Sequence, residues 1–292
     1  MENPIADSGE RPYPRGGKFL SSFYMLNDPA KESETESIEV RCYFVRDRNA
    51  LLVRGDFSPI YTDYYLHLMQ HHIRHQPAQD QLIKDGLAAL TLHLASRPWN
   101  EAIAWTLSWQ DPLQNLFVTG NNRGGNIVGR IFTEDVKERE KNLFISQVTV
   151  VGQEPRQSMI EAETLDLFAI AEDFYRKSEQ RPGRYFRFSE EDFVLVTAQP
   201  DCDLEWFEAL DDEKIRHMDD SETLSLLETR QYRFDCGCSP ERIFPIIAGM
   251  TDESLRAVFG ESETVAAGCP RCGARYVITQ EALEAFKAEQ GE

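Results

Sequence analysis

Four cysteines are the side chains best spaced for chemistry. Cys236 and Cys238 flank a single glycine, and Cys269 and Cys272 flank Pro270 and Arg271 after a spacer of thirty residues, 239 to 268. Two close thiol pairs separated by enough chain for a small helical insert can bring four sulfurs to one tetrahedral zinc at Zn–S distances of about 2.3 Å. Gly273 directly follows the last cysteine, where a glycine suits the tight knuckle turn that such a site needs. Four thiolates leave no open position for water or substrate, which disfavours catalysis at the metal and leaves a structural or switching role. A disulfide across Cys-x-Cys would close a very small ring and be easily reduced, so this pair points to reversible chemistry.

Two other readings of the cysteines fare worse. A disulfide framework belongs in a secreted chain, and the N-terminus lacks the charged-then-apolar layout of a signal peptide. Unrelated buried thiols do not fall into paired spacing. A cytoplasmic protein is expected, with thiols kept reduced at rest. The 31 basic against 50 acidic residues give a net charge of −19, which repels phosphate backbones and argues against nucleic acid as a partner. No apolar run approaches the ~20 residues of a membrane span, so no membrane partner is expected. Neither a paired acid and base nor a Cys–His arrangement stands out, so an enzyme is not expected.

The elements that must position the cysteines are read in chain order. Residues 1–36 carry four prolines amid Ser, Glu and Gly and read as a flexible leader holding one apolar island, 19–26. Ile38, Val40, Cys42 and Phe44 alternate with polar residues as a strand, and 51–53 follows as a second. Cys42 reads as a small buried hydrophobe. Helices are expected over 58–75 and 80–96. The first places His67, His71 and His75 on one face, which reads as a mixed polar face because a fourth metal ligand is missing. Strands are expected over 102–109, 116–119, 127–132 and 143–151, an amphipathic helix over 158–177, and extended chain over 185–196. The core, residues 37–200, is therefore an α+β body with an antiparallel sheet and packed helices.

Residues 201–235 read as an acidic, partly helical linker. They hold twelve acids against four bases, and scattered apolar residues including Leu204, Trp206, Phe207, Leu210 and Ile215 that suffice to dock but not to build a core. Cys202 at its start lies outside the ligand spacing and reads as a bystander. Residues 236–292 form a small zinc-binding module. Ser239-Pro240 is a good helix start, Pro245 should kink or shorten that helix, 252–259 is a second helix closed by Gly260, and 263–267 with 275–279 form a hairpin around the Cys269 knuckle, before a last helix over 280–287. So small a module depends on its metal.

Cys236, Cys238, Cys269 and Cys272 in this spacing, with the upstream run Phe174-Tyr175-Arg176-Lys177-Ser178-Glu179-Gln180-Arg181-Pro182, resemble the heat-shock protein 33 family of redox-regulated holdase chaperones. The second run is similar to that family's aromatic-x-x-x-SEQ-x-P segment. The resemblance spans about residues 38 to 288. It implies a Zn2+ site made of these four cysteines and oxidation to the disulfides Cys236 to Cys238 and Cys269 to Cys272. It also implies a linker released when zinc is lost, unfolding client proteins as partners, and a monomer when reduced that can dimerise when oxidised. Two departures stand out: the family's glycine-rich turn is replaced here by Trp109-Gln110-Asp111-Pro112-Leu113-Gln114, and the linker is short. The rival reading is a zinc-stabilised interaction module with constitutive binding and no redox response, which the short linker and Pro245 favour slightly.

Overall fold

The alternation of Ile38, Val40 and Cys42 with charged residues builds the first strand, β1 (Ile38–Val45), which turns through left-handed Asp47 and Asn49 into β2 (Ala50–Asp56). The computed structural model describes residues 36–290; the expected leader and its island at 19–26 lie outside them. Helix α1 (Ser58–Gln70) begins with a proline in its first turn. It stops earlier than the expected residue 75 because His72 takes a left-handed conformation. Helix α2 (Pro77–Ala95) starts on a reciprocal capping box between Gln76 and Gln79, and its last ten residues are all buried. It is the central helix of the body.

A meander follows: β3 (Glu101–Gln110), β4 (Leu113–Asn121), β5 (Asn126–Phe132), β6 (Leu143–Val150) and β7 (Arg156–Glu161). The single helix expected over 158–177 is corrected here. Its first part is β7, which pairs with β6 (Ile145 opposite Met159). The helix α3 (Leu167–Lys177) begins only where the Asp166 carboxylate accepts the N–H groups of Phe168 and Ala169. The extended stretch 185–196 is likewise two strands, β8 (Gly183–Arg187) and β9 (Asp192–Ala198), folded into a hairpin.

Three short helices come next, α4 (Leu204–Glu208), α5 (Asp212–Arg216) and α6 (Met218–Ser221), and then β10 (Leu224–Phe234). The expectation of a connector over 201–235 therefore needs correction in its second part. β10 is an interior strand of a ten-stranded sheet ordered β7-β6-β3-β4-β5-β10-β1-β2-β9-β8. Arg230, Tyr232 and Phe234 are buried at alternate positions, a strand period that the surrounding acidic charge obscures in the sequence. Every pairing is antiparallel except that of β10 with β5, which is parallel and spans only two residue pairs, Arg233 with Asn126 and Phe234 with Ile127.

Two apolar clusters occupy the body. The larger joins α1, α2 and α3 to the sheet around Trp105, Phe144, Phe174 and Tyr175. The second packs Phe207, Leu210, Ile215 and Met218 of the helical run against Leu52, Phe186, Val194 and Val196. The scattered apolar residues of the acidic segment thus dock as their composition suggested. After β10 the chain forms α7 (Pro240–Ala248), α8 (Asp252–Phe259), the hairpin β11 (Thr264–Gly268) and β12 (Arg275–Thr279), and α9 (Gln280–Gln290). These share a small core of Ile247, Phe259, Ile278 and Leu283.

Candidate metal centre

The end of β10 delivers the first thiol pair. Phe234 anchors the strand in the main core, the Asp235 carboxylate accepts the Gly237 N–H at 2.7 Å, and Gly237 takes the left-handed conformation, φ 63°, that turns Cys236 and Cys238 to one side. The Arg242 guanidinium donates to the Gly237 carbonyl at 2.7 Å. The second pair rides on the turn between β11 and β12. There Cys269 N–H donates to the Ala274 carbonyl at 2.7 Å and Gly273 N–H to the Cys269 carbonyl at 3.0 Å. Gly273 has φ 79°, and a Cβ there would stand 3.3 Å from Ile73 and 3.5 Å from Arg130. The expected knuckle is present, and glycine is needed for both conformation and space.

Cys236, Cys238, Cys269 and Cys272 bring their sulfurs within 4.8 Å of one another. Cys236 and Cys269 are 3.6 Å apart and Cys238 and Cys272 3.5 Å. A tetrahedral site with Zn–S of about 2.3 Å separates its sulfurs by about 3.8 Å, so the donor set and its spacing fit a metal ion. All six cysteines are free thiols. With four thiols sharing protons, hydrogen bonding from Cys236 is the first cause that holds the Cys238 and Cys269 thiols below the ordinary thiol range. The ligands of a soft cation must be thiolates, and these two are the readier to deprotonate.

The surroundings hold this cluster on the body. Tyr276 donates its hydroxyl to the Cys238 carbonyl at 3.0 Å and lies 3.2 Å from the Cys238 sulfur. His67 Nε2 donates to the Cys272 carbonyl at 3.1 Å; burial lowers the pKa of this imidazole, which favours the neutral donor. Arg130 of β5 donates to the Cys269 carbonyl at 3.0 Å, and Arg271 to the Cys236 carbonyl at 3.3 Å. His67 on α1 and His71 just past its end therefore form a docking face, while His75 lies beyond the helix. His67 packs on Phe234, and His71 meets Tyr276 edge-on at 5.5 Å between centroids. The row His67, His71, His75 was visible as a periodicity, but its partner lay some two hundred residues away; Arg130 carried no local signal at all. Cys42 sits in the main core and Cys202 beside the second cluster, neither with the four.

The Hsp33 protein family model matches residues 195–279, a span that holds all four cysteines and the docked helices. The "33 kDa chaperonin" of Photorhabdus laumondii is 22% identical over 271 residues, covering 82% of this chain and 93% of that protein. The one from Proteus mirabilis is 25% identical over 266 residues, covering 78% and 90%. The chain is similar to Hsp33 proteins along most of its length. The crystal structure of the 33 kDa chaperonin from Thermotoga maritima superposes with a TM-score of 0.65 over 89% of this chain and all of that one, at 11% identity, and so shares the fold. This likeness supports a chaperone function. Among the described residues no helix is long and apolar enough to cross a membrane.

Proposed function

We propose that this chain is a redox-regulated, ATP-independent holdase that binds unfolding proteins in the cytoplasm under oxidative stress. In this reading residues 37–200 are the chaperone core, 201–235 the regulated segment and 236–292 the redox-sensing module. The observation that carries it is the placement of four clustered thiols at the end of β10, the strand whose other end leaves the docked acidic helices. Bound by Cys236, Cys238, Cys269 and Cys272, zinc would cross-link the end of β10 to the knuckle and stabilise the small module.

Peroxide converts one thiolate of a pair to a sulfenic acid, and the second thiolate displaces water from it. Each pair gives up two electrons and one S–S bond forms. The peroxide O–O bond breaks, and both oxygens leave as water after taking up two protons. By family likeness the pairs are Cys236 with Cys238 and Cys269 with Cys272. Disulfide sulfurs are poor ligands, so the module loses its cross-link and β10, which follows α4–α6 in the chain, loses the anchor at its Cys236 end. Phe207, Leu210 and Ile215, now packed on the sheet, then become apolar surface for clients. The reduced protein is read as a monomer.

The test follows zinc release with a chromophoric chelator during peroxide addition, with suppression of client aggregation assayed on the same sample. Zinc loss and holdase activity should appear together and reverse with dithiothreitol plus zinc. Fully oxidised, zinc-free protein that fails to slow aggregation at stoichiometric ratios sinks the proposal.

A further inference from the structure

The acidic helical run does not close fully onto the sheet. Between α5 and the neighbouring strands β2 and β9 lies a cavity of about 240 Å³. Its apolar lining is Leu52, Val194 and Ile215, all buried. Three charged side chains join them, Arg54, Asp192 and Arg216. Arg54 already has its partners: it donates to the two oxygens of Asp219 at 2.7 and 3.2 Å and to the Tyr43 hydroxyl at 3.2 Å.

The other two charges are left open. The Arg216 guanidinium lies 4.6 Å from the centroid of the Phe188 ring, and among the described residues it pairs with no carboxylate. Asp192 stands directly opposite Asp56 in the ladder between β2 and β9, so the two carboxylates leave the same face of adjacent strands and repel. Asp56 accepts from the Ser58 N–H and hydroxyl. The Asp192 carboxylate accepts no hydrogen bond among the described residues, and burial, followed by the Asp56 charge, raises its pKa. One mouth therefore presents an unanswered anion and an unanswered cation above an apolar floor.

We propose that this cavity binds a free α-amino acid with a branched or aromatic apolar side chain. Its ammonium meets Asp192 beside Asp56, its carboxylate meets the Arg216 guanidinium, and its side chain rests on Leu52, Val194 and Ile215. Each charged end then gains a charge-assisted hydrogen bond. A simple organic anion would leave Asp192 and Asp56 in repulsion, and a simple amine would leave Arg216 unanswered. The volume falls below the roughly 300–1,000 Å³ of pockets for drug-sized ligands, which suits one amino acid and excludes a folded-in peptide. Because Asp192 belongs to β9 and Arg216 to α5, the bound ligand ties the helical run to the sheet.

Titration of the reduced full chain with L-leucine, followed by NMR of the Leu52, Val194 and Ile215 methyl groups, tests this apart from any chaperone activity. Two analogues each lack one charge: isocaproate has no amine and isoamylamine has no carboxylate. Leucine should give saturating shifts, and each analogue should bind about tenfold or more weakly, the loss expected for one hydrogen bond to a charged group. Arg216→Gln should bind leucine and isoamylamine alike, and Asp192→Asn should bind leucine and isocaproate alike. Both are exposed positions, and if either variant fails to fold, the analogue series on the unsubstituted chain decides. Amides over 212–216 should exchange more slowly with leucine bound. Shifts that do not saturate at millimolar leucine overturn the proposal. So does an isocaproate or isoamylamine affinity equal to that of leucine, which would make the cavity a site for a single charge.

Discussion

Tyr276 touches Cys238 twice, through the carbonyl and beside the sulfur, while packing on His71 just after α1. Groups of this kind orient metal ligands, and losing one typically costs about 10–100-fold in metal affinity. Tyr276→Phe keeps the ring and its packing but removes the hydroxyl, so the reduced chain should lose roughly tenfold in zinc affinity, read by competition with a chromophoric chelator. An unchanged affinity would show that the hydroxyl orients nothing. Cys42 illustrates the opposite kind of thiol. Burial first, and then the Glu228 carboxylate, pushes it up from 9.0 to about 11. Between those values the native chain holds a proton that the unfolded chain releases, so this group's contribution is complete below pH 9 and is lost as pH rises towards 11. The separation corresponds to about 2–3 kcal/mol. Urea midpoints at about pH 8 and about pH 10.5 should therefore differ more for the unsubstituted chain than for Cys42→Ala. Equal pH sensitivity of the two proteins would remove Cys42 as the cause.

At the scale of elements, one guanidinium ties both ends of the acidic helical run. Arg48 pairs with Asp203, which caps α4, and with Glu222, which follows α6. Arg184 donates to the carbonyls of Phe207, Glu208 and Leu210 between them. The expected effect of Arg48→Ala is faster amide exchange over 204–221 while the cysteines still hold their metal, with aggregation suppression appearing before any oxidant is added. Exchange that stays at its original rate would mean that the apolar contacts hold the run unaided. Phe207 is fully buried in that contact, and Phe207→Ala should open the same amides further, since emptying such a site costs about 3–5 kcal/mol. These docked helices were readable as apolar residues in search of a surface. β10 was not, because its inward positions include Arg230, whose guanidinium reaches the Leu94 carbonyl, the Glu228 carboxylate and the Trp99 ring. A buried cation with distant partners looks like a surface residue in one dimension. The cysteine cluster was legible for the converse reason: all four lie in two short local motifs, and the left-handed glycines beside them mark the turns. The residues that moor the site, His67 and Arg130, act across long sequence separations and leave no such mark.

For the whole molecule, the small module's core is only Ile247, Phe259, Ile278 and Leu283 with a half-buried rim, and Pro245 lies inside α7. The body, by contrast, contains two clusters and a sheet in which each interior strand is paired on both sides. Stabilisation by a metal of about 10–16 kcal/mol can be most of the folding energy of a unit this size and far less of the body's. Removing the metal from fully reduced protein by chelation should therefore unfold 240–290 while leaving 38–198 intact. Limited proteolysis reads this directly: new cleavage should appear between α7 and α9 with the meander fragment surviving, and zinc with reductant should restore resistance. The short parallel pairing of β10 with β5 adds a second expectation to the same digest. If the four-cysteine cluster joins the two halves of the sheet, cleavage should also appear at the short β10 to β5 junction near Asp235. A chelated protein that resists protease throughout would show that the module folds without its metal, and that the control of this chain lies elsewhere than in the loss of the cross-link.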